Sequence, residues 1–260
     1  MYISATGMYA QQRQVDSIAN NVVNANTQGY KKTRLSFTDM VSGIAENSTL
    51  SRKSEIGNDP SIYYHTGAGV ALARVTKSFE LGEIRKTESP LDIAISGDGF
   101  IEVAMLDGAR GYFRGGSLSV NKDGQLSTAT GIPLKSNILI PRDAKAVSIS
   151  TDGRISVQLT GQANFIDLGK LELVKFNNPS ALESSGDGIY KSTEDSGEAI
   201  EGNTGEDGVG MILQGNLESS NVRMVDEMVG LMLAQRSYEA SAKVLQASDE
   251  LLGMINGLRK

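Results

Sequence analysis

Met8, Gln11, Val15, Ile18, Val22 and Ala25 follow one another at steps of three and four residues, a heptad seam in which Gln11 is the polar exception. The same spacing returns near the other end in Leu231, Ala234, Tyr238, Ser241, Leu245, Ser248, Leu252 and Ile255, with Val244, Leu251 and Leu258 beside them at intervals of seven. Two amphipathic helices are predicted. The first is about 35 Å long and the second about 55 Å. Ser220 or Asn221 is the expected N-cap of the second, with Asp226 and Glu227 near its start. Its seam alternates large and small residues, which suits close helix packing, and its length exceeds the width of a compact domain of roughly 130 residues. Part of its apolar face is therefore expected to be left for neighbours in an assembly.

The middle of the chain changes period. Leu91, Ile93 and Ile95 alternate with Asp92, Ala94 and Ser96; Ile101, Val103 and Met105 with Glu102 and Ala104; Ile155, Val157 and Leu159 with Ser156 and Gln158. Asp98-Gly99, Asp107-Gly108, Gly115-Gly116, Asp123-Gly124, Asp152-Gly153 and Asp187-Gly188 punctuate these runs and suit tight turns. An antiparallel barrel or sandwich is expected over about 91–190, followed by an exposed acidic connection over 193–210. Residues 41–68 carry no sustained period and are expected to be extended or irregular. The fold class is thus α+β. Terminal segments 1–35 and 215–260 form a helical domain, 36–90 a connecting segment and 91–214 a β-rich domain.

Composition narrows the chemistry. The 260 residues include no Cys and no Trp, so disulfides and thiolate chemistry are excluded. Aromatic residues make up 5%, unlike an ordinary aromatic-cored enzyme. The net charge is −6 and unevenly placed: 1–34 holds four basic residues and one acidic, 35–214 holds 16 and 24, and 215–260 holds five and six. No basic stripe points to nucleic acid, and no stretch approaches the roughly 18 apolar residues of a membrane span. The first helix is too polar for a secretory signal, so export would need another route.

His65 is the single histidine and lies in a loop between Tyr64 and Thr66, with no triad partner in the pattern. Gly67-Ala68-Gly69 and Gly97-Asp98-Gly99 lack the third glycine of a dinucleotide loop, because Leu72 and Glu102 stand there. No phosphate loop occurs, and the Asp-Gly turns lack calcium-loop spacing. A non-enzymatic protein with no cofactor and no metal is expected. The cations Lys31, Lys32 and Arg34 are expected on a solvated face or paired with carboxylates of a neighbour.

"SATGMYAQQRQVDSIANNVVNANTQGYKKTR" resembles the N-terminal signature of the flagellar rod and hook proteins, whose pattern runs ATGM-x-AQQ and then IANN-x-AN-x-NT-x-GFK. "GAGVALARVTKSFELGEIRKTESPLDIAISGDGFIEV" and "LQGNLESSNVRMVDEMVGLMLAQRSYEASAKVLQASDELLGMINGLR" are similar to two further blocks of that family, in the same order. Val22-Val23 replaces the usual Leu-Ala, Tyr30 replaces Phe, and Gly115 stands where an Asp commonly follows Arg114, which bears only on a surface turn. The opening block and LESSNV are nearest to the distal-rod members.

The resemblance implies a structural subunit of the basal body. Its terminal helices pair, coiled-coil-like, as the inner layer of a helical homopolymer that transmits torque, with the β domain outside. It also implies export by the flagellar type III apparatus to the periplasmic space, and contacts with adjacent rod and hook proteins and surrounding ring proteins, without membrane insertion or nucleic acid. A proximal rod or hook subunit would share these ends. An exported β-domain adhesin would instead need an aromatic-lined groove.

The amides that crowd residues 20–26 then have an expected role. Asn20, Asn21 and Asn24 would fix the chain's exit from the helix and bond to neighbouring subunits, and Gly29 would cap the helix end in the left-handed conformation. The residues assigned to subunit contacts are Met8, Val15, Ile18, Asn20, Asn21, Val22, Asn24 and Gly29 near one end, and Leu231, Tyr238, Leu245, Leu252 and Ile255 near the other. Residues 41–68 would add lateral contacts.

Overall fold

A computed structural model describes residues 2–42, 66–105, 108–162, 164–205 and 208–257. Helix α1 (Tyr2–Val23) leads into strands β1 (Thr33–Ser42) and β2 (Thr66–Lys77). The strands β3 (Ile84–Lys86), β4 (Asp92–Ser96), β5 (Phe100–Ala104), β6 (Arg110–Phe113), β7 (Gly115–Val120) and β8 (Leu126–Thr128) follow. Next come β9 (Ala144–Ile149), β10 (Arg154–Leu159), β11 (Phe165–Lys170), β12 (Leu173–Lys175), β13 (Glu183–Gly186) and β14 (Ile189–Lys191). Finally β15 (Ile200–Gly202), β16 (Met211–Gln214) and β17 (Asn216–Glu218) precede α2 (Met224–Gly257). The chain is α+β, with a helix toward each end and a β-rich middle.

Two compact units divide these elements. One holds α1 as far as Ala19, β1 from Leu35, β2 as far as Val75, and α2 from Val225; the other holds Asn20–Arg34 and Thr76–Met224.

In the first unit, α2 has 34 residues, about 51 Å at the helical rise, and Asp226 and Glu227 occupy its first turn, where acidic groups suit the helix dipole. α1 and α2 lie close together at Gly7 and at Gly230. A Cβ added to Gly7 would lie 3.9 Å from Ser241 Oγ, and one added to Gly230 would lie 3.4 Å from Ile18 Cδ1. The seam serines return their hydroxyls to the helix: Ser241 and Ser248 donate to the carbonyls of Ser237 and Val244, both at 2.9 Å. β1 and β2 form a two-stranded ribbon. Gly69 in β2 has φ +122°, and a Cβ there would sit 2.3 Å from Thr6 Oγ1, so only glycine lets the ribbon meet α1 at this point.

The second unit carries the core. Its sheets are open: β13-β14-β6-β5-β12-β15, β16-β4-β7-β8, β11-β10-β9 and β17-β3, with no closed barrel among the described residues. Ile93, Ile95, Ile101, Leu126, Ile155, Leu171 and Ile212 pack into one apolar cluster. β5 shows the period-2 rule: Ile101 and Val103 enter that cluster, whereas Phe100 joins a second one with Tyr112, Phe176 and Tyr190. The few aromatic rings are thereby concentrated, with Phe79–Phe100 and Tyr112–Phe176 in edge-to-face contact at 5.2 and 4.7 Å.

Three local expectations are corrected. Asp92 and Ala94 do not face solvent; they are buried with Ile93 and Ile95, because β4 lies inside its sheet and the Asp92 carboxylate accepts the Thr87 hydroxyl at 2.8 Å. Gly115-Gly116 is not a tight or surface turn but the start of β7, where added Cβ atoms would meet Ile93 O at 3.0 Å and the Phe113 ring at 3.1 Å. Residues 193–210 are not wholly an exposed connection, since β15 lies within them and pairs with β12. Asp187-Gly188 does turn: φ is +52° and +72°, between the antiparallel β13 and β14, as a type I′ hairpin requires. His65 and most of the 41–68 segment lie outside the described residues.

Burial raises the pKa of the Tyr112 and Tyr190 phenols, and nearby carboxylates, Glu102 and Glu218 respectively, add to the effect. The folded chain therefore keeps protons that the unfolded chain releases above pH about 10, and stability falls as pH rises beyond that point. In an ultraviolet phenolate titration, Tyr112 and Tyr190 are expected to lag until the fold is lost. All eight tyrosines ionising together near pH ~10 with the fold intact would refute this.

Candidate assembly site

The chain passes between the two units beside residues 20, 34, 76 and 224. Close to all four points, and wholly inside the β-rich unit, a set of polar side chains ties the passing strands together.

The amides of the first motif begin it. α1 ends at Val23 and not at Gly29; turns follow, carried by Asn24 N–H to Asn20 O at 3.2 Å and Thr27 N–H to Asn24 O at 3.1 Å. Asn21 is buried and brackets one residue of β1, accepting from Thr33 N–H at 2.9 Å and donating to Thr33 O at 3.0 Å. The Tyr30 hydroxyl stands 2.7 Å from Asn20 Oδ1 and 3.1 Å from Asn21 Oδ1, so the Tyr-for-Phe departure adds a donor to the bracket. Asn24 donates to Asn20 O and accepts from the Thr27 hydroxyl, at 2.9 and 3.1 Å. The amides thus hold the chain's exit from the helix through bonds within their own chain.

Gly29 does adopt the left-handed conformation, with φ +67°, but several residues past the helix. Its N–H donates to Glu218 O at 2.8 Å, which aims the next residues inward.

Lys31 overturns the expectation of a solvated cation. Its side chain is 0% exposed and pairs at 2.5 Å with Glu218, itself 4% exposed and 187 residues away. Lys31 Nζ also donates to Glu80 O at 2.9 Å, and Gly82 N–H donates to the same Glu218 oxygen at 2.8 Å. A Cβ on Gly82 would fall 2.0 Å from Ser219 O, so a side chain there would break the approach. Arg114, 3% exposed, places Nε 3.8 Å from the other Glu218 oxygen, donates to Gly99 O at 2.6 Å and lies over the Phe100 ring at 5.5 Å. Burial pushes the Lys31 ammonium below its usual range while Glu218 pulls it back, and burial likewise lowers Arg114. Two cations share one buried carboxylate, and each also leans on backbone carbonyls. Arg34 is exposed and 3.5 Å from exposed Glu80, a pair worth little.

Ser220 and Asn221 do not cap α2, which starts at Met224. The Asn221 amide is engaged elsewhere: its oxygen accepts Lys32 N–H at 2.8 Å, and its nitrogen donates to Ser78 O and Glu80 O at 2.8 and 3.1 Å.

The remaining predicted residues are spread along the helices. Ile18 is buried; Met8, Val15, Val22, Leu231 and Leu245 are half-buried; Tyr238, Leu252 and Ile255 are exposed. Val225, Met228, Val229 and Met232, at helical spacing, are exposed as well. Glu218, Arg114 and Asn221 are absent from the sequence-predicted set. Their one visible signal is that Glu218 and Asn221 lie in the quoted "LESSNV" block.

Among the described residues, no cluster of His, Asp or Glu suits a metal ion, and no helix is long and apolar enough to cross a membrane. Sequence models of three families match successive parts of the chain. They are the flagella basal body rod protein over residues 1–31, the flagellar hook protein FlgE/F/G D1 domain over 94–157, and the flagellar basal body rod FlgEFG protein C-terminal over 213–258. A flagellar basal-body rod protein FlgG of Borreliella burgdorferi is 36% identical over 100% of this chain and 98% of its own length. The chain belongs to the FlgG family of flagellar basal-body rod proteins. FlgG proteins of Caulobacter vibrioides and Bacillus subtilis are 38% and 31% identical, over 98% and 100% of this chain and 97% and 98% of their own lengths. In this FlgG relative the buried Lys31–Glu218 pair joins the last residue of the rod-protein match to the C-terminal match.

Proposed function

We propose that this protein is a structural subunit of the bacterial flagellar basal body that polymerises with itself into the distal rod, the shaft carrying torque from motor to hook. The observation that carries the reading is the apolar surface α2 leaves open: Val225 is 73% exposed and Ile255 61%, within two separate runs of exposed apolar residues. Such runs are rarely left uncovered in a soluble monomer, and a helix this long draws its stability from a packed face. Family membership along the whole chain supplies the context.

On this reading α1 and α2 pair, coiled-coil-like, and stack with those of other subunits as an inner layer, while the β-rich unit lies outside. Adjacent rod and hook proteins, ring proteins and the type III export apparatus are its further partners, and its place is the basal body within the periplasmic space. The role is mechanical and needs no cofactor. Electron cryo-microscopy of basal bodies from a strain lacking residues 231–260 tests this. A rod that stops short, with the chain unassembled, is expected; a full rod built from the truncated chain would overturn it.

A further inference from the structure

Beside the Asn21 bracket the β-rich unit has a cleft of about 470 Å³. Asn24, Thr27, Gln28, Gly116, Asp187 and Lys77 are among the residues that line it. Lys77 is half-buried, with Nζ 5.1 Å from the centre of the Tyr30 ring. Among the described residues it has no carboxylate partner, Asp187 included. Burial alone holds its ammonium below the ordinary lysine range. A desolvated cation facing amides, hydroxyls and glycine backbone is a place prepared for a carboxylate.

The chain also carries a surface complementary to it. Glu194, Asp195 and Glu198 are exposed, lie within five residues, and form no ion pair among the described residues. Three surface acids, by contrast, are engaged: Glu83 with Arg85, Glu201 with Lys135, and Asp167 with Arg154. The turn bearing the free acids is stiff. Ser196 Oγ accepts Thr193 N–H and donates to Thr193 O, both at 2.9 Å, and Asn178 donates to Asp195 O at 3.3 Å. A preorganised acidic knuckle loses little entropy on docking.

We propose that the Lys77 cleft of one subunit receives the acidic turn at 194–198 of a second copy. Cleft and turn are different surfaces of the same unit, as an open helical polymer requires of a contact that does not close on itself. The proposal rests on the self-assembly reading above and names a contact outside the helices. It also gives the amide-rich motif a second duty: Asn21 brackets β1, and Asn24 lines the cleft.

The absence of Cys makes the test direct. Lys77→Cys and Asp195→Cys are introduced together into the only copy of the gene, basal bodies are isolated and mildly oxidised, and the chain is run on a non-reducing gel. A ladder of multimers is expected, lost on reduction and absent from either single variant. Rods of normal length whose chains stay monomeric would overturn the contact. In parallel, Lys77→Glu is expected to reduce intact rods roughly tenfold or more through like-charge repulsion, and Glu194→Lys, Asp195→Lys and Glu198→Lys together to restore them. Normal rods from Lys77→Glu, or no restoration, would also overturn it. Should the cysteine pair itself prevent assembly, the charge-reversal strains decide. Absence of the unmodified chain from basal bodies would sink the assembly reading itself, whereas normal rods without a ladder sink only the cleft.

Discussion

Glu218→Ala is expected to lower the stability of the β-rich unit by about 3–5 kcal/mol, the usual consequence of removing one partner from a buried ion pair. The reason is the unequal charge count at the node. Glu218 is the carboxylate that Lys31 and Arg114 share, at 2.5 and 3.8 Å. Without it, two cations that are 0% and 3% exposed keep backbone carbonyls and, for Arg114, the Phe100 ring, but no carboxylate in hydrogen-bonding contact. Lys31→Ala should do less harm, because Arg114 remains beside the carboxylate. The double variant Lys31→Met/Glu218→Leu should recover only the part of the loss due to Lys31, since Arg114 stays buried without its carboxylate; adding Arg114→Met should recover most of the rest, because apolar side chains of similar volume replace a complete buried ion set well. Urea unfolding of the full chain measures all of these. Equal losses for the two single substitutions would show that Arg114 does not share the carboxylate, and a loss under 1 kcal/mol for Glu218→Ala would show that the node is not a stabilising element.

The second large effect falls on assembly and not on folding. Leu252 and Ile255 are 48% and 61% exposed, so Leu252→Asp with Ile255→Asp should leave the isolated chain's circular dichroism and urea midpoint unchanged. If a second copy covers these side chains, the half of each that is still exposed contributes roughly 0.7–1.8 kcal/mol to the contact. Together that is about one to two decades in the concentration needed to polymerise. Sedimentation of the purified chain as a function of concentration, with rod length in cells, reads the change. Unchanged polymerisation would show that the end of α2 is not an assembly surface. A lowered urea midpoint would show instead that it braces the subunit itself.

The two predictions separate what is legible along the chain from what is not. The helices and the β-rich middle are visible in the sequence, because 3.6- and 2-residue periods are local consequences of backbone geometry. Asp-Gly turns are equally local, and Asp187-Gly188 behaves as its residues dictate. Gly115-Gly116 does not. The same residues that permit a turn also permit close approach of another strand, and only the neighbouring Ile93 and Phe113 decide between them. Asn20, Asn21 and Asn24 announce that something must hold the chain's exit from α1, since three polar amides interrupt an apolar seam. They do not announce that Thr33 and Tyr30 are their partners.

The sequence by itself therefore determined the classes of structure and their order, together with the family resemblance that follows from them, since both are written in short spacings. The tertiary structure alone decided which charges are buried. Lys31 reads as one of three surface cations until folding brings Glu218 from 187 positions away, and Asn221 reads as a helix cap until Lys32 and Ser78 lie within its reach. A hydrogen bond or ion pair is made by proximity in space, and the energy that drives a charged side chain out of water is set by everything that surrounds it. No local pattern in the chain encodes that environment.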